Sequence, residues 1–180
     1  MEQCWHNQLA FGGDLNGCTI RELFTTPTPD QMESGDVTVP KFTRTVTFAR
    51  NDMRDLKELQ LGDYCIPETP NFPTVDSLAC LQNPFCDPGN GNKCLVGFQM
   101  TVNTSGHSLN LDGGKLVRRK FKELFNLAKP LNLENMYIVF VTTKAAEPSF
   151  RKKQPWVTNN GNQNFDLDDV RQFVLVLPEN

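Results

Sequence analysis

Three polar side chains set among apolar neighbours are the best candidates for chemistry in this sequence: Asp76, Gln99 and Thr101. A carboxylate within the apolar run at 75–79 is costly to bury unless it is paired, bound to a metal or turned to solvent. Gln99 and Thr101 are two residues apart, so on a strand both side chains point to the same face of a sheet. If that strand neighbours Asp76, the acid, amide and hydroxyl oxygens predict a weak site for magnesium or manganese, because hard cations prefer oxygen ligands.

The same three residues also have a purely structural interpretation. Asp76 fits an acid that caps a turn at the end of a strand, and Gln99 with Thr101 fits a buried hydrogen-bond network. His107, in the polar stretch 104–107, has the chemistry of a general base or a phosphate contact, but it also fits an ordinary surface residue. The sequence leaves these alternatives open.

A basic segment follows, and it predicts contact with phosphates. Apolar residues recur at helical spacing over 115–128, which predicts an amphipathic helix that ends before Pro130. Four basic residues of this segment share one face of that helix: Lys115, Arg118, Arg119 and Lys122. Because the whole chain has a formal net charge of −3, only such a local patch would attract a phosphate backbone. The alternative is a solvated helix face.

The cysteines and the chain start bear on metal binding and location. Cys80, Cys86 and Cys94, completed by Cys65, would make a zinc site, but their spacing fits no common zinc pattern and favours reduced cysteines. The first residues lack a basic region followed by an apolar run, which predicts no signal peptide. No stretch approaches the roughly 20 apolar residues that span a membrane, so we expect a soluble intracellular chain.

The elements that must position these residues predict an α/β fold. A helix from Asn51 to about Gly62 precedes three short strands at 64–67, 73–81 and 95–102, and their close spacing predicts an antiparallel meander. The basic helix then leads to a strand at 137–141, which favours parallel pairing, and a last strand covers 173–177. Residues 1–35 are predicted to be irregular, with a short helix near 20–24, and residues 36–180 form one domain.

One block of the sequence resembles a known family. Tyr64, Pro67 and the stretch Asn71-Phe72-Pro73-Thr74-Val75-Asp76-Ser77 are followed by Leu95-Val96-Gly97-Phe98-Gln99-Met100-Thr101-Val102 and His107. This order resembles the C-terminal block of the trypanosomal retrotransposon hot spot proteins and of Crinkler-type effectors. The resemblance covers about residues 50–180 and implies a PD-(D/E)xK restriction-endonuclease-like core. That core is a helix, a three-stranded meander, a helix and a fourth strand, here with an extra C-terminal strand.

The resemblance implies roles for the candidate residues. Asp76 matches the metal-binding Asp, whereas Gln99 stands where the second acid is usual and Thr101 where the Lys is usual. Glu58 is the implied upstream acid, and Lys93, Lys115 or Lys120 are candidates to replace the missing lysine. Magnesium or manganese is the implied cofactor, with no organic cofactor. A neutral amide and a hydroxyl weaken both metal affinity and charge stabilisation, so the implied catalytic set is incomplete.

Three functional hypotheses follow. The first is a nuclease-like domain with a degenerate catalytic set that contacts nucleic acid or a nuclear protein. The second is an active metal-dependent DNA or RNA nuclease. The third is an inert truncated copy from a multigene family, since related members carry an upstream NTPase module that this chain lacks. Fold alone does not separate the three hypotheses, and nuclear localisation is left open.

Overall fold

Eight strands form one mixed sheet in the computed structural model, which describes residues 17–37, 41–49, 59–68, 75–82, 93–101, 109–110, 133–157, 163–164 and 170–178. The strands are β1 (Thr19–Leu23), β2 (Gly35–Asp36), β3 (Arg44–Phe48), β4 (Asp63–Pro67), β5 (Ser77–Gln82), β6 (Lys93–Met100), β8 (Leu133–Thr143) and β11 (Arg171–Leu177). Their order across the sheet is β2-β1-β11-β8-β6-β5-β4-β3. The mixed sheet is the part of the predicted α/β fold that the structure describes.

A second, smaller sheet contains three two-residue strands. They are β7 (Leu109–Asn110), β9 (Trp156–Val157) and β10 (Gln163–Asn164), with β9 between the other two. The described residues include two short 3-10 helices, Asp30–Met32 and Glu147–Ser149. No helix within the described ranges is long and apolar enough to cross a membrane. Most of the first predicted helix and all of the second fall at 50–58 and 111–132, which lie outside the described residues.

The predicted meander is confirmed. β4, β5 and β6 pair as antiparallel neighbours, with Cys65 opposite Leu78 and Leu78 opposite Gly97. The predicted parallel step is also confirmed, because β8 lies parallel to β6. β11 in turn lies parallel to β8. Parallel neighbours need a long crossover connection, and residues 101–132 provide the chain length for one between β6 and β8.

Both faces of the central strands are buried, which explains why those strands are apolar almost throughout. On β6, Val96 and Phe98 belong to one core cluster, whereas Leu95 belongs to the cluster on the opposite face. Successive residues along these strands therefore alternate between the two clusters, as the alternation of side chains requires. The face that carries Leu95 also carries Gln99 and Thr101, which the sequence placed on a common face.

Two expectations about local structure are wrong. The segment near Ile20–Phe24 is not a helix, since residues 19–23 form β1 and pair antiparallel with β11. Residues 35–36 also pair with β1, so part of the N-terminal segment belongs to the main sheet. Asp76 lies just before β5 rather than in the middle of a strand, because pairing with β6 starts at Ser77.

Candidate functional site

Asp76 and Gln99 meet at one edge of the sheet, where β5 begins and β6 ends. The antiparallel register sets Ser77 opposite Phe98, so the residue before Ser77 lies opposite the residue after Phe98. The backbone N–H of Asp76 donates to the carbonyl of Phe98 at 2.7 Å, which continues the ladder by one residue. The register of the meander therefore brings together two residues that are 23 positions apart in the chain.

The carboxylate of Asp76 is held by two N–H donors from β6. Its Oδ2 accepts a hydrogen bond from Gln99 Nε2 at 3.0 Å and another from the backbone N–H of Met100 at 2.6 Å. Charge-assisted hydrogen bonds of this kind are shorter and stronger than bonds between neutral groups. Gln99 turns its amide N–H towards the acid, since its carbonyl oxygen would repel a carboxylate. Among the described residues, Asp76 and Gln99 are therefore joined by a hydrogen bond from an amide to a carboxylate.

Close packing of Val75 on Gly97 fixes the approach to Asp76. A Cβ placed on Gly97 would lie 2.6 Å from Val75 Cγ1, a distance that real side chains do not adopt. Only glycine lets the chain before β5 cross the sheet so near to β6. Val75 is fully buried there, and this packing positions the adjacent Asp76 at the start of β5.

Thr101 lies beside this pair, and β8 adds a second threonine. The backbone N–H of Thr101 donates to the carbonyl of Val141 at 2.9 Å, and its side chain is 9% exposed. The register of β6 and β8 makes Thr142 the neighbour of Thr101 on the same face. Thr142 is fully buried, and its hydroxyl has no hydrogen-bond partner within the described structure. Sequence reasoning missed Thr142, and its only signal is a hydroxyl directly after the apolar run 137–141.

Lys93 is not close enough to replace the missing lysine. It starts β6, whereas Gln99 lies six residues further along the same strand, which corresponds to roughly 20 Å. Lys144 is exposed and follows β8 at the same edge as Asp76. The remaining candidates lie outside the described residues: Glu58, His107, Lys115, Arg118, Arg119, Lys120 and Lys122.

The described donors do not fit a magnesium or manganese ion. The carboxylate of Asp76 faces two N–H groups, and Gln99 presents to it a donor rather than an oxygen ligand. In the ranges that the structure describes, no group of three His, Cys, Asp or Glu residues is placed to hold a metal. Magnesium is bound by oxygen ligands alone, commonly one or two carboxylates together with waters and phosphates.

The described cysteines are buried thiols. Burial raises the pKa of Cys18 and of Cys80 to about 11, and it also raises the pKa of Cys65. The carboxylate of Asp63 adds to the shift at Cys65 and Cys80 by repelling a thiolate. Protonated, buried thiols are poor metal ligands and poor nucleophiles. Cys86 of the predicted zinc set lies outside the described residues.

A second buried carboxylate lies at the opposite end of β4 and β5. Asp63 is 1% exposed and accepts a two-point interaction from Arg44, at 3.0 Å from Nε and 2.6 Å from the second guanidinium nitrogen. The backbone N–H of Gln60 also donates to it at 2.7 Å. The adjacent Tyr64 is fully buried, and its phenol oxygen accepts a hydrogen bond from the Ser77 hydroxyl at 2.7 Å. Burial raises the pKa of this phenol. The carboxylate of Asp63 is thus buried in an ion pair, whereas that of Asp76 is partly exposed.

Comparisons with protein-family models, with curated proteins and with solved structures find no match to this chain.

Proposed function

We propose that this chain is a nucleic-acid-interacting domain of the retrotransposon hot spot and Crinkler type, built on a restriction-endonuclease-like scaffold with a degenerate catalytic set. The strand order supports the scaffold, because an antiparallel β4-β5-β6 meander is followed by a strand, β8, parallel to β6. The observation that carries the proposal is the contact of Asp76 with Gln99 at the edge where β6 ends.

The chemistry of that contact supports an incomplete catalytic set. In a working nuclease of this kind, a second acid and a lysine accompany the first aspartate. Here an amide N–H occupies the position next to Asp76, and the hydroxyl of Thr101 supplies no positive charge to a hydroxide or a leaving phosphate. Lys93 is too far along β6 to compensate. Binding of nucleic acid requires none of these groups, so it survives their loss.

The distribution of charge supports a phosphate-bearing partner. The chain is acidic overall, yet the segment 115–122 concentrates basic residues. Lys144, Arg151 and Lys152 are exposed in the segment that follows β8. Lysine and arginine that neutralise phosphates release counterions, so affinity for DNA or RNA falls steeply with salt. A local patch on an acidic chain attracts a polyanion only within about one Debye length.

The direct test is equilibrium binding of fluorescein-labelled DNA and RNA, followed by anisotropy over a salt series. We expect saturable binding, and we expect the logarithm of the association constant to fall linearly with the logarithm of salt concentration. Arg119→Glu should weaken binding by about tenfold and reduce the salt slope, since it removes one phosphate contact and adds a repulsive charge. Lys41→Glu is the matched control, because Lys41 is exposed in the segment before β3 and is not among the basic residues assigned to binding.

Each alternative outcome points to a different function. A well-folded chain that binds neither DNA nor RNA refutes the proposal and favours a protein partner. A chain without cooperative unfolding favours the inert copy. Binding accompanied by cleavage that needs Asp76 and a divalent cation favours the active nuclease.

A further inference from the structure

Two adjacent donors on β6 give Asp76 the stabilisation that a cation gives elsewhere. Gln99 Nε2 and the backbone N–H of Met100 converge on the same carboxylate oxygen, Oδ2, at 3.0 and 2.6 Å. N–H groups directed at an ionised oxygen stabilise its charge, as a bound cation would. A cation and an N–H donor cannot occupy the same position on one oxygen. Because the Met100 N–H is fixed in the backbone, binding of a metal at Oδ2 requires the Gln99 N–H to turn away.

We propose that the Gln99 amide takes the place of a divalent cation, so that this edge is a metal-independent acid–amide clasp with a latent cation site. The clasp joins the start of β5 to the end of β6 without any metal. Where the edge contacts nucleic acid, which rests on the proposed function, that contact needs no magnesium or manganese. The metal-free state of the clasp itself does not depend on the nucleic-acid ligand.

The fold around the clasp keeps both partners in place. The backbone of Asp76 is bonded to Phe98, and Val75 packs against Gly97 with no room for a Cβ. Beyond Gln99, the bond from Thr101 to Val141 continues the ladder between β6 and β8. Both partners are thus on the hydrogen-bonded framework of the sheet, and the amide cannot move away without breaking a bond to an ionised group. That loss weakens metal binding by about tenfold or more.

The converse is that one substitution should create a cation site. Gln99→Glu replaces the donor with a second carboxylate at about 3 Å from the first, and like charges at this separation repel. A divalent cation between two such carboxylates relieves the repulsion and gains charged oxygen ligands. The variant should therefore be less stable than wild type in chelator and should regain stability when manganese is added.

The test is a manganese titration of the full chain, with free Mn²⁺ measured by electron paramagnetic resonance and thermal unfolding measured on the same samples. The control is Gln82→Glu, which makes the same change at an exposed position at the opposite end of β5. We expect wild type and Gln82→Glu to show no saturable manganese binding and the same melting temperature in manganese and in chelator. Gln99→Glu should bind one Mn²⁺ about tenfold or more tightly than either.

Two results would overturn the proposal. One is saturable manganese binding by wild type that Asp76→Asn abolishes, and it can be read even if Gln99→Glu does not fold. The other is a folded Gln99→Glu variant that binds manganese no better than Gln82→Glu. Nucleic-acid binding is measured separately in chelator. Its absence at all cation concentrations refutes the proposed function alone, whereas binding that appears only with manganese contradicts the metal-independent clasp.

Discussion

Two aspartates at opposite ends of the β4–β5 hairpin show how differently one fold can hold a carboxylate. Asp63 is almost fully buried and is paired with the guanidinium of Arg44, so a full positive charge offsets its own. Asp76 is half-buried, and its two described donors are an amide and a backbone N–H. A buried charge needs a charged partner, whereas the two donors described at the half-buried carboxylate of Asp76 are neutral. The comparison separates a structural acid from a candidate functional one.

The largest expected effect is at the buried pair. Arg44→Leu removes the guanidinium and leaves Asp63 buried with a charge and the Gln60 N–H, so we expect a loss of about 2–4 kcal/mol in the free energy of unfolding. Arg44→Lys keeps the charge but loses the two-point geometry, and should cost less. Urea unfolding at pH 7 measures both. A cost below about 1 kcal/mol for Arg44→Leu would mean that Asp63 is not held as an ion pair.

A smaller effect is expected at Asp76. Asp76→Ala removes the acceptor for Gln99 and Met100 near the surface, where water can replace it, so the expected cost is about 1–2 kcal/mol. The same urea titrations compare it directly with Arg44→Leu. If the two costs are equal, the contacts of Asp76 stabilise the fold as much as the ion pair of Asp63 does, which contradicts this comparison.

Thr142 should give an effect of opposite sign. Its buried hydroxyl has no described partner, so Thr142→Val exchanges an unsatisfied polar group for a methyl of similar shape. We expect the free energy of unfolding to rise by up to about 1 kcal/mol. Thr143→Val, the same change one residue later and on the other face of β8, is the control. A loss of stability at Thr142 alone would show that the hydroxyl has a partner.

The last prediction concerns the dependence of stability on pH. The thiols of Cys18 and Cys80 have pKa values raised by burial from 9.0 to about 11, so each is protonated in the fold where the unfolded chain would start to ionise. Their contribution to stability is complete below pH 9 and is lost as the pH rises from 9 to about 11. Urea unfolding at pH 8 and pH 10.5 measures that loss. Cys80→Ala should reduce the pH dependence, and an unchanged dependence would contradict the assignment to this thiol.

The meander was predictable from sequence for a physical reason. β5 and β6 are buried on both faces, so their residues form apolar runs. Polar segments rich in Gly, Pro and Asn separate these runs in the sequence. The shared face of Gln99 and Thr101 follows from alternation, and the position of Asp76 opposite Gln99 follows once the register is known. Pattern alone gives the order of these strands but fixes their ends only to within a few residues.

The first strand was not predictable in the same way, because its partners are distant. Within β1, Arg21 donates to the carbonyl of Phe150 at 3.0 Å, and Glu22 accepts from Arg171 Nε at 2.7 Å. These contacts join residues more than a hundred positions apart, and the short segment 20–24 taken alone suggested a helix instead. Thr142 was missed for a related reason, since only the register of β8 on β6 shows that it neighbours Thr101.

The most direct test of the central claim is a cleavage assay with purified wild-type protein on plasmid DNA and on RNA, in magnesium, in manganese and in chelator. If an acid–amide contact has replaced the metal centre, we predict no cleavage above that of Asp76→Ala under any of these conditions, with nucleic acid still bound. Cation-dependent cleavage that Asp76→Ala abolishes would contradict the account. It would show that Asp76 and Gln99 form a working metal site despite the missing acid and lysine.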